Sequence, residues 1–352
     1  MAPPSVLVTG GTGFIGARLV RMLVERGHRT KVLARPGSSL RALAGIDPRR
    51  LEVVRGDVTI GHTVFRALAG CDRLFHVAAH FKMWSRHPQE ILDAAVMGTR
   101  ETLEAARLRG IEKIVVTSST ATLGATREAT PMDESAVFNR PDSAPYVVAK
   151  WKAEQVALDM ARAGMPIVLV NPATVLGPGD YKPTPSADLV LTHLKWKLPF
   201  GMPIAPGGIS IVDVDDVARG HLLAMDKGRV GERYILGGSN VTFEQFYVAL
   251  SEITGLHGPG MTIGSGLAKL GGALAELIAR WFGGEPQLTH KMARDYVGAF
   301  VWVASERAER ELGYSSRPLR ATLARAVRFF LENGAVPAER ARHIRFDLRA
   351  FA

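Results

Sequence analysis

The sequence predicts a doubly wound α/β fold, a parallel sheet with helices on both faces. Three observations carry this. Short apolar runs alternate with longer helix-periodic stretches through the first half of the chain. A glycine triplet stands at the first strand–helix junction. After about Asn171 the alternation loosens, which marks a smaller, partly helical C-terminal domain. The chain has 352 residues, 47% hydrophobic and 22% charged, a globular composition long enough for two domains.

The elements follow in order. Ser5–Thr9 reads as a strand, Gly13–Arg26 as a helix and Thr30–Ala34 as a second strand. Ala42–Ala44 falls in a short helix or turn. Leu51–Arg55 is a third strand, Thr63–Ala69 a helix and Arg73–Val77 a fourth strand. A long helix covers about Pro88–Arg109, with Ile114–Ser118 the fifth strand, Tyr146–Ala163 helical and Ile167–Asn171 the sixth strand. Residues 177–187 hold five prolines and glycines and read as a loop. Ile211–Val217 reads as a strand entering a helix, and Arg233–Leu236 as another strand. Thr242–Thr254 is a helix opened by a capping box, with Thr242 as N-cap and Gln245 three residues on. Pro318–Glu332 is a helix that stops at Asn333-Gly334. These assign residues 1–175, with returning segments near 211–238, to a dinucleotide-binding domain. Residues 176–210 and 239–340 form the substrate domain, and 341–352 a loosely held tail.

Thr9-Gly10-Gly11-Thr12-Gly13-Phe14-Ile15-Gly16 follows the first strand and opens the first helix. Gly10 allows the tight turn, Gly13 lets the backbone approach a pyrophosphate, and Gly16 allows close helix–strand packing, the logic of a Rossmann-type dinucleotide site. The helix N-terminus then faces the phosphate charge. An acid at the end of the second strand would select NAD, but this sequence reads Ala34-Arg35-Pro36. The Arg35 guanidinium suits a 2′-phosphate, so NADP(H) is favoured, with NAD(H) the alternative should Arg35 only stack on adenine. Asp57, after the third strand, either accepts from the adenine amino group or caps the next helix.

The fifth strand ends in Thr117-Ser118-Ser119-Thr120, and Tyr146 and Lys150 lie four apart on one helix face. A phenol normally titrates near 10, and a nearby ammonium would lower that value. Such a Tyr can give a proton to a carbonyl oxygen or take one from an alcohol, while a Ser hydroxyl holds the same oxygen.

With these residues in place, the chain resembles an extended short-chain dehydrogenase/reductase of the NAD-dependent epimerase/dehydratase class. The glycine loop, Asp57-Val58, His76-Val77-Ala78-Ala79, Thr117-Ser118-Ser119 and Tyr146…Lys150 stand in that family's order. Asn171-Pro172-Ala173 and Val214-Asp215-Asp216-Val217-Ala218 continue it, over about residues 5–330. The resemblance implies catalytic roles for Ser119, Tyr146 and Lys150. Lys150 would also hold the nicotinamide ribose. Asn171 and Pro172, with Ala173, would line the nicotinamide side, and Ala78, beside Ala79, would lie near the cofactor backbone. The most similar subgroups are the dihydroflavonol-reductase-like carbonyl reductases and the hopanoid-associated sugar epimerases. Two departures stand out. The family's usual Asn in the fourth helix is Ala95, and the Tyr that many sugar-nucleotide members carry is Leu123. Phe81, Met83, Trp84, Tyr181, Trp196 and Phe200 are candidates for an apolar pocket, with Trp84 and Tyr181 favoured because they fall in loops.

The formal net charge is +10, and residues 1–56 hold ten Arg/Lys against three Asp/Glu. A positive field suits an anionic ligand. Nucleic acid is not expected, since zinc-finger spacing, a helix-turn-helix signal and a basic aromatic-interleaved tail are missing. The lone Cys71 excludes an intramolecular disulfide, and no metal site is expected. A cytoplasmic protein without a signal peptide or membrane partner is expected, acting on a small molecule as a homodimer through helices 88–109 and 146–163, the latter by family analogy. Leu267–Phe282 has a wide apolar side with only Lys269, Glu276 and Arg280 charged. It reads as packed against the second domain or a dimer partner, with a membrane-surface helix as the alternative. The favoured function is NADPH-dependent reduction of a ketone or aldehyde. A sugar epimerase retaining NAD⁺ and a non-catalytic dinucleotide-sensing scaffold are the competitors. A dehydratase is disfavoured because Thr120 and Ala121 supply no acid–base pair.

Overall fold

The computed structural model describes residues 4–79, 84–85, 87–198, 201–282 and 289–345. The N-terminal half runs β1 (Val6–Thr9), α1 (Phe14–Glu25), β2 (Thr30–Ala34), β3 (Leu51–Arg55), α2 (Gly61–Ala67) and β4 (Arg73–His76). It continues with α3 (Pro88–Leu108), β5 (Lys113–Thr117), α4 (Pro145–Arg162), β6 (Ile167–Pro172) and β7 (Thr174–Leu176). Then come α5 (Pro185–Lys195), β8 (Met202–Ile204), β9 (Gly207–Asp213), α6 (Val214–Lys227), β10 (Arg233–Leu236), β11 (Ser239–Thr242) and α7 (Phe243–Thr254). The chain closes with β12 (Pro259–Thr262), α8 (Ser265–Phe282), α9 (His290–Tyr296), β13 (Ala299–Val301), α10 (Glu306–Leu312), α11 (Leu319–Glu332) and α12 (Ala338–Ala341).

A seven-stranded sheet orders as β10-β6-β5-β4-β1-β2-β3, and each of its pairings is parallel. This is the doubly wound α/β fold expected, with the order reversing between β1 and β4, where ligands bind in such sheets. The winding explains the unbroken apolar strands. In β1, Val6 and Val8 point into the core under α1 and α6, whereas Leu7 points into the core under α2, α3 and α4. All three are buried, so each contributes on the order of 1.5–3 kcal/mol relative to exposure.

The C-terminal part has a core of its own. Leu176, Val190 and Leu194 meet Phe246, Leu250, Leu323, Val327 and Phe330 there. A smaller sheet runs β11-β9-β13, with β7 also pairing β9. Of the returning stretch 211–238, β10 joins the large sheet, whereas β9 runs in the small one.

A buried charge joint ties the two parts. Asp213, Asp215 and Asp216 open α6. Arg18 of α1 reaches Asp215 at 2.6 Å, and Arg325 of α11 reaches Asp213 at 2.9 Å and Asp215 at 2.7 Å. Arg317 adds Asp216 at 3.0 Å. Burial pushes the Asp213 carboxyl up, against the pull of the two arginines.

Three sequence expectations change here. The Pro/Gly-rich stretch ends earlier than expected, because α5 begins at Pro185, with Thr184 as N-cap accepting from the Ala187 N–H at 3.4 Å. Pro at the first helical position opens a helix rather than breaking it. Residues 341–345 are anchored rather than loose: the Arg345 N–H donates to the Thr254 carbonyl at 2.9 Å, and Ile344 packs on the C-terminal core. The short strands β7, β8, β11, β12 and β13 went unread, since three or four residues carry too little periodicity. The Thr242–Gln245 capping box is present as expected.

Candidate active site

The glycine loop is built by contacts that only glycine permits. Gly10 has φ +70°, and a Cβ there would stand 2.7 Å from the Ala78 main-chain nitrogen. A Cβ on Gly16 would stand 2.2 Å from the Gly10 oxygen. These close approaches draw the β1–α1 turn against Ala78, after β4. The loop is partly accessible at Thr12, Phe14 and Ile15 and exposed at Gly13. Gly13 caps α1 without a side chain, and the first turn of α1 carries no acid. Its N–H groups and positive dipole end therefore suit a phosphate anion. This cradle fits a dinucleotide pyrophosphate.

At the far end of the crossover, Arg35 is exposed after β2. Arg55, at the end of β3, donates from Nη1 to the Arg35 carbonyl at 3.1 Å. The Arg55 guanidinium therefore lies against the Arg35 backbone, and Arg55 was missed in the sequence because it stands at the close of a different strand. Asp57 uses Oδ1 to accept from the Thr59 N–H at 2.9 Å and the Thr59 hydroxyl at 2.8 Å. It thus closes a local turn onto Thr59, while α2 itself has Ile60 as N-cap with no side-chain cap. Val58 is half-buried against Gly98 of α3, and Ala79 is exposed beside Ala78.

Ser119, Tyr146 and Lys150 converge where β5 and α4 meet. Tyr146 is hydrogen-bonded with Ser119, which lowers its pKa, but burial dominates and pushes the phenol up to about 12, with Tyr296 adding to the rise. The sequence reading expects a phenol lowered by Lys150, and the structure instead gives one held protonated by its dry surroundings. Lys150 donates from Nζ to the Thr117 carbonyl at 2.8 Å. Burial brings it down to about 8, opposed by the Glu154 carboxylate. The Ser119 hydroxyl also accepts from the Ala121 N–H at 3.2 Å, which starts a 3-10 turn over Thr120–Leu123.

Two buried histidines flank Lys150. His221 Nδ1 faces the Val217 carbonyl at 2.8 Å and so carries the proton, leaving Nε2 to accept from the Thr117 hydroxyl at 2.8 Å. His76 contacts the Thr9 hydroxyl at 2.9 Å through Nδ1 and Thr99 at 3.3 Å through Nε2. Burial first, and the Lys150 charge second, bring His76 down to about 3. For His221 burial leads again, the Val217 hydrogen bond opposes it and Lys150 adds to it, giving about 4. Both rings are neutral near pH 7.

A second layer stands behind Ser119. The Asn171 side-chain amide donates to the Ser119 carbonyl at 3.1 Å and to Glu154 Oε2 at 2.7 Å. The Asn171 amide N–H groups thus position Ser119, its buried Oδ1 has no hydrogen-bond partner among the described residues, and Pro172 and Ala173 are buried at the end of β6. Glu154 is wholly buried; it also accepts from the Thr122 hydroxyl at 2.9 Å and pairs with Arg233 at 3.0 Å. Glu154 was missed, although a signal existed: it lies four residues beyond Lys150 on the Tyr146–Lys150 helix face.

The expected pocket residues divide. Phe81, Met83 and Phe200 lie outside the described residues. Trp84 is half-buried. Trp196 packs on the C-terminal core. Tyr181 goes elsewhere: its ring meets the Arg41 guanidinium at 4.6 Å and the Phe329 edge at 5.2 Å. It lines a crevice of about 270 Å³ with Arg41, Asp180 and Asn333, not with the Ser–Tyr–Lys group. Leu123 is buried in the core, filling space rather than facing a ligand. Tyr296 of α9 comes close enough to Tyr146 to raise its pKa, and no sequence pattern announced it. A cleft of about 570 Å³ opens beside Pro145, the residue before Tyr146, between α3, α4 and Lys291 of α9.

The chain is similar over most of its length to three curated proteins and to a solved structure. A Synechocystis sp. protein provisionally named as a dihydroflavonol 4-reductase is 36% identical over 94% of this chain and 96% of its own length. Sterol demethylase protein B of Methylococcus capsulatus is 31% identical over 94% of this chain and 100% of its own length. The 4-hydroxy-2-methyl-3-oxo-4-farnesyl-3,4-dihydroquinoline-1-oxide ketoreductase of Stigmatella aurantiaca is 31% identical, covering 88% and 91%. The crystal structure of gox2253 superposes with a TM-score of 0.83 at 36% identity, covering 95% of this chain and 100% of that one. The model of the NAD dependent epimerase/dehydratase family matches residues 6–237, and the chain belongs to that family.

Proposed function

We propose that the chain is an NADP(H)-preferring carbonyl reductase that reduces a ketone on an apolar molecule to the alcohol. The observation that carries this reading is the convergence of Ser119, Tyr146 and Lys150 where β5 and α4 meet, with the protonated Tyr146 phenol hydrogen-bonded with Ser119. A bound nicotinamide dinucleotide supplies the hydride. Tyr146 Oη gives its proton to the substrate oxygen, and the Ser119 hydroxyl donates to the same oxygen and orients it. Lys150 keeps a positive charge beside the site while fixing the end of β5 through the Thr117 carbonyl. Asn171 and Glu154 hold the Ser119 backbone in place.

Arg35, exposed after β2, and Arg55, whose guanidinium binds the Arg35 carbonyl, support the NADP preference, since a guanidinium suits a phosphate better than a ribose hydroxyl. The substrate class is supported by the relatives, which are named for a dihydroflavonol, a sterol and a farnesyl-bearing quinoline oxide.

The test is turnover of a ketone panel with NADPH by the parent and by Tyr146→Phe. The parent is expected to turn over, and the variant to lose about 10²-fold or more in kcat with cofactor affinity unchanged. Stoichiometric NAD⁺ released from freshly purified, denatured protein would overturn the reading in favour of an epimerase that keeps its cofactor.

A further inference from the structure

We infer that the outer face of α8 seats the chain on an anionic lipid surface, from which an apolar ketone reaches the Tyr146 site. The second half of this rests on the reductase reading above.

The helix is turned inside out for a soluble protein. Among its described side chains, the inward contacts are made by small residues: Ala268 packs on Ala293 and Val297, and Gly272 lies so near α9 that a Cβ would stand 2.7 Å from the Thr289 carbonyl carbon. Its described leucines and Trp281 point outward. Leu267, Leu270, Leu274, Leu277 and Trp281 are each more than half exposed. Their spacing forms one stripe along about 21 Å of helix. Met261, near the end of β12, is also exposed. Contiguous exposed apolar surface of this kind marks a contact site.

Charge complementarity selects the occupant. The whole chain carries a net charge of +10. On α8 and α9 the described carboxylates are engaged within the protein: Glu276 accepts the His290 N–H at 2.8 Å, and Asp295 pairs with Arg294 at 2.7 Å. Lys291 is exposed and Lys269 partly so. A leucine face ending in Trp, on a chain of net positive charge, is the composition of a helix lying in a headgroup layer. A helix pair between two copies would set its register through charges beside the seam. The flanking positions here hold Gly266, Gly271 and Ala273. No described helix is long and apolar enough to cross a membrane, so the contact is peripheral. The surface also lies near the chemistry. Behind α8 stands α9, whose Tyr296 acts on Tyr146 and whose Lys291 lines the cleft beside Pro145.

The experiment is flotation of the full chain with phosphatidylcholine vesicles, with and without phosphatidylglycerol, at low and high salt. The parent is expected to float with the anionic vesicles and to be released by salt. The double variant Leu270→Glu/Leu274→Glu should bind about tenfold more weakly or less, with its melting temperature retained because both side chains face solvent. Leu270→Ala/Leu274→Ala should fall between the two. A parent that fails to float overturns the proposal, as does a double variant that floats equally well. So does a parent dimer that the double variant splits without any vesicle binding, since the face would then belong to a second copy. Flotation is read without substrate, so the two readings fail separately. Ketone turnover without flotation removes only the lipid surface. Flotation by a protein that reduces no ketone removes only the reductase.

Discussion

The Lys150 ammonium and the Thr117 carbonyl stand 2.8 Å apart, and the Thr117 hydroxyl turns the other way, to His221 at 2.8 Å. One threonine at the end of β5 therefore anchors both the half-buried Lys150 cation and a buried neutral ring. Lys150 is held by the sheet rather than by the phenol. Its charge persists in a dry site because it faces neutral histidines and lies near Glu154.

The pH dependence of reduction follows. Tyr146, at about 12, stays protonated through the neutral and mildly alkaline range, whereas Lys150 loses its proton near 8. The rate of ketone reduction should fall as pH rises through about 8, the limb reporting Lys150. Lys150→Met should remove that limb and lower kcat by about 10²-fold. A limb that survives unchanged in Lys150→Met would assign it to another group.

Glu154 is a positioning residue, and its replacement should separate kcat from binding. Glu154→Gln leaves Arg233 without its 3.0 Å partner and disturbs the Asn171 and Thr122 contacts that set the Ser119 carbonyl. Breaking a buried pair this way costs about 3 kcal/mol, because the remaining charge is stranded. Urea unfolding should show that loss. Steady-state kinetics should show kcat down by roughly tenfold with the cofactor KM unchanged. Glu154→Asp, which keeps the charge, should recover part of the stability.

The arginine corner predicts a cofactor effect that only the phosphate feels. Arg35→Ala and Arg55→Ala should each weaken NADP(H) binding by roughly tenfold to a hundredfold, the worth of a charge-assisted contact. NAD(H) binding should change little. Fluorescence titration with both cofactors checks this, and equal losses for the two would remove the phosphate from the argument.

The sheet and the Tyr146–Lys150 pairing on α4 were legible in the sequence for different reasons. Buried parallel strands such as Val6–Thr9 read as unbroken apolar runs, and Gly10 and Gly16 stand where no other residue fits, so the first half announced itself. Tyr146 and Lys150 were found because a helix places residues four apart on one face. What failed to show was whatever depends on long-range contact. Burial rather than Lys150 governs the Tyr146 phenol, and no local pattern reports burial at a buried helix start. Tyr181 looked like a pocket residue because it sits in a Pro/Gly loop, yet the fold carries it to Arg41. Tyr296 reaches the site from 150 residues away in sequence, through a helix too short to read.

The buried histidines predict how the fold meets acid. His76 is brought down to about 3, and His193 and His221 to about 4, against an ordinary value of 6.5, with burial the leading cause for each. Between pH 6.5 and 4 the unfolded chain binds protons on these rings that the native chain refuses, so stability rises with pH across that window. The stabilisation is fully present above about 6.5 and is lost as pH falls toward 4. Each ring accounts for about 2 kcal/mol of loss at pH 5. Urea midpoints at pH 7 and pH 5 should therefore differ markedly. His221→Gln can keep the hydrogen bond to Thr117 without titrating, so it should be less stable than the parent at pH 7 yet lose less on acidification. An equal pH 7 to pH 5 loss in parent and variant would mean that His221 takes up its proton without unfolding.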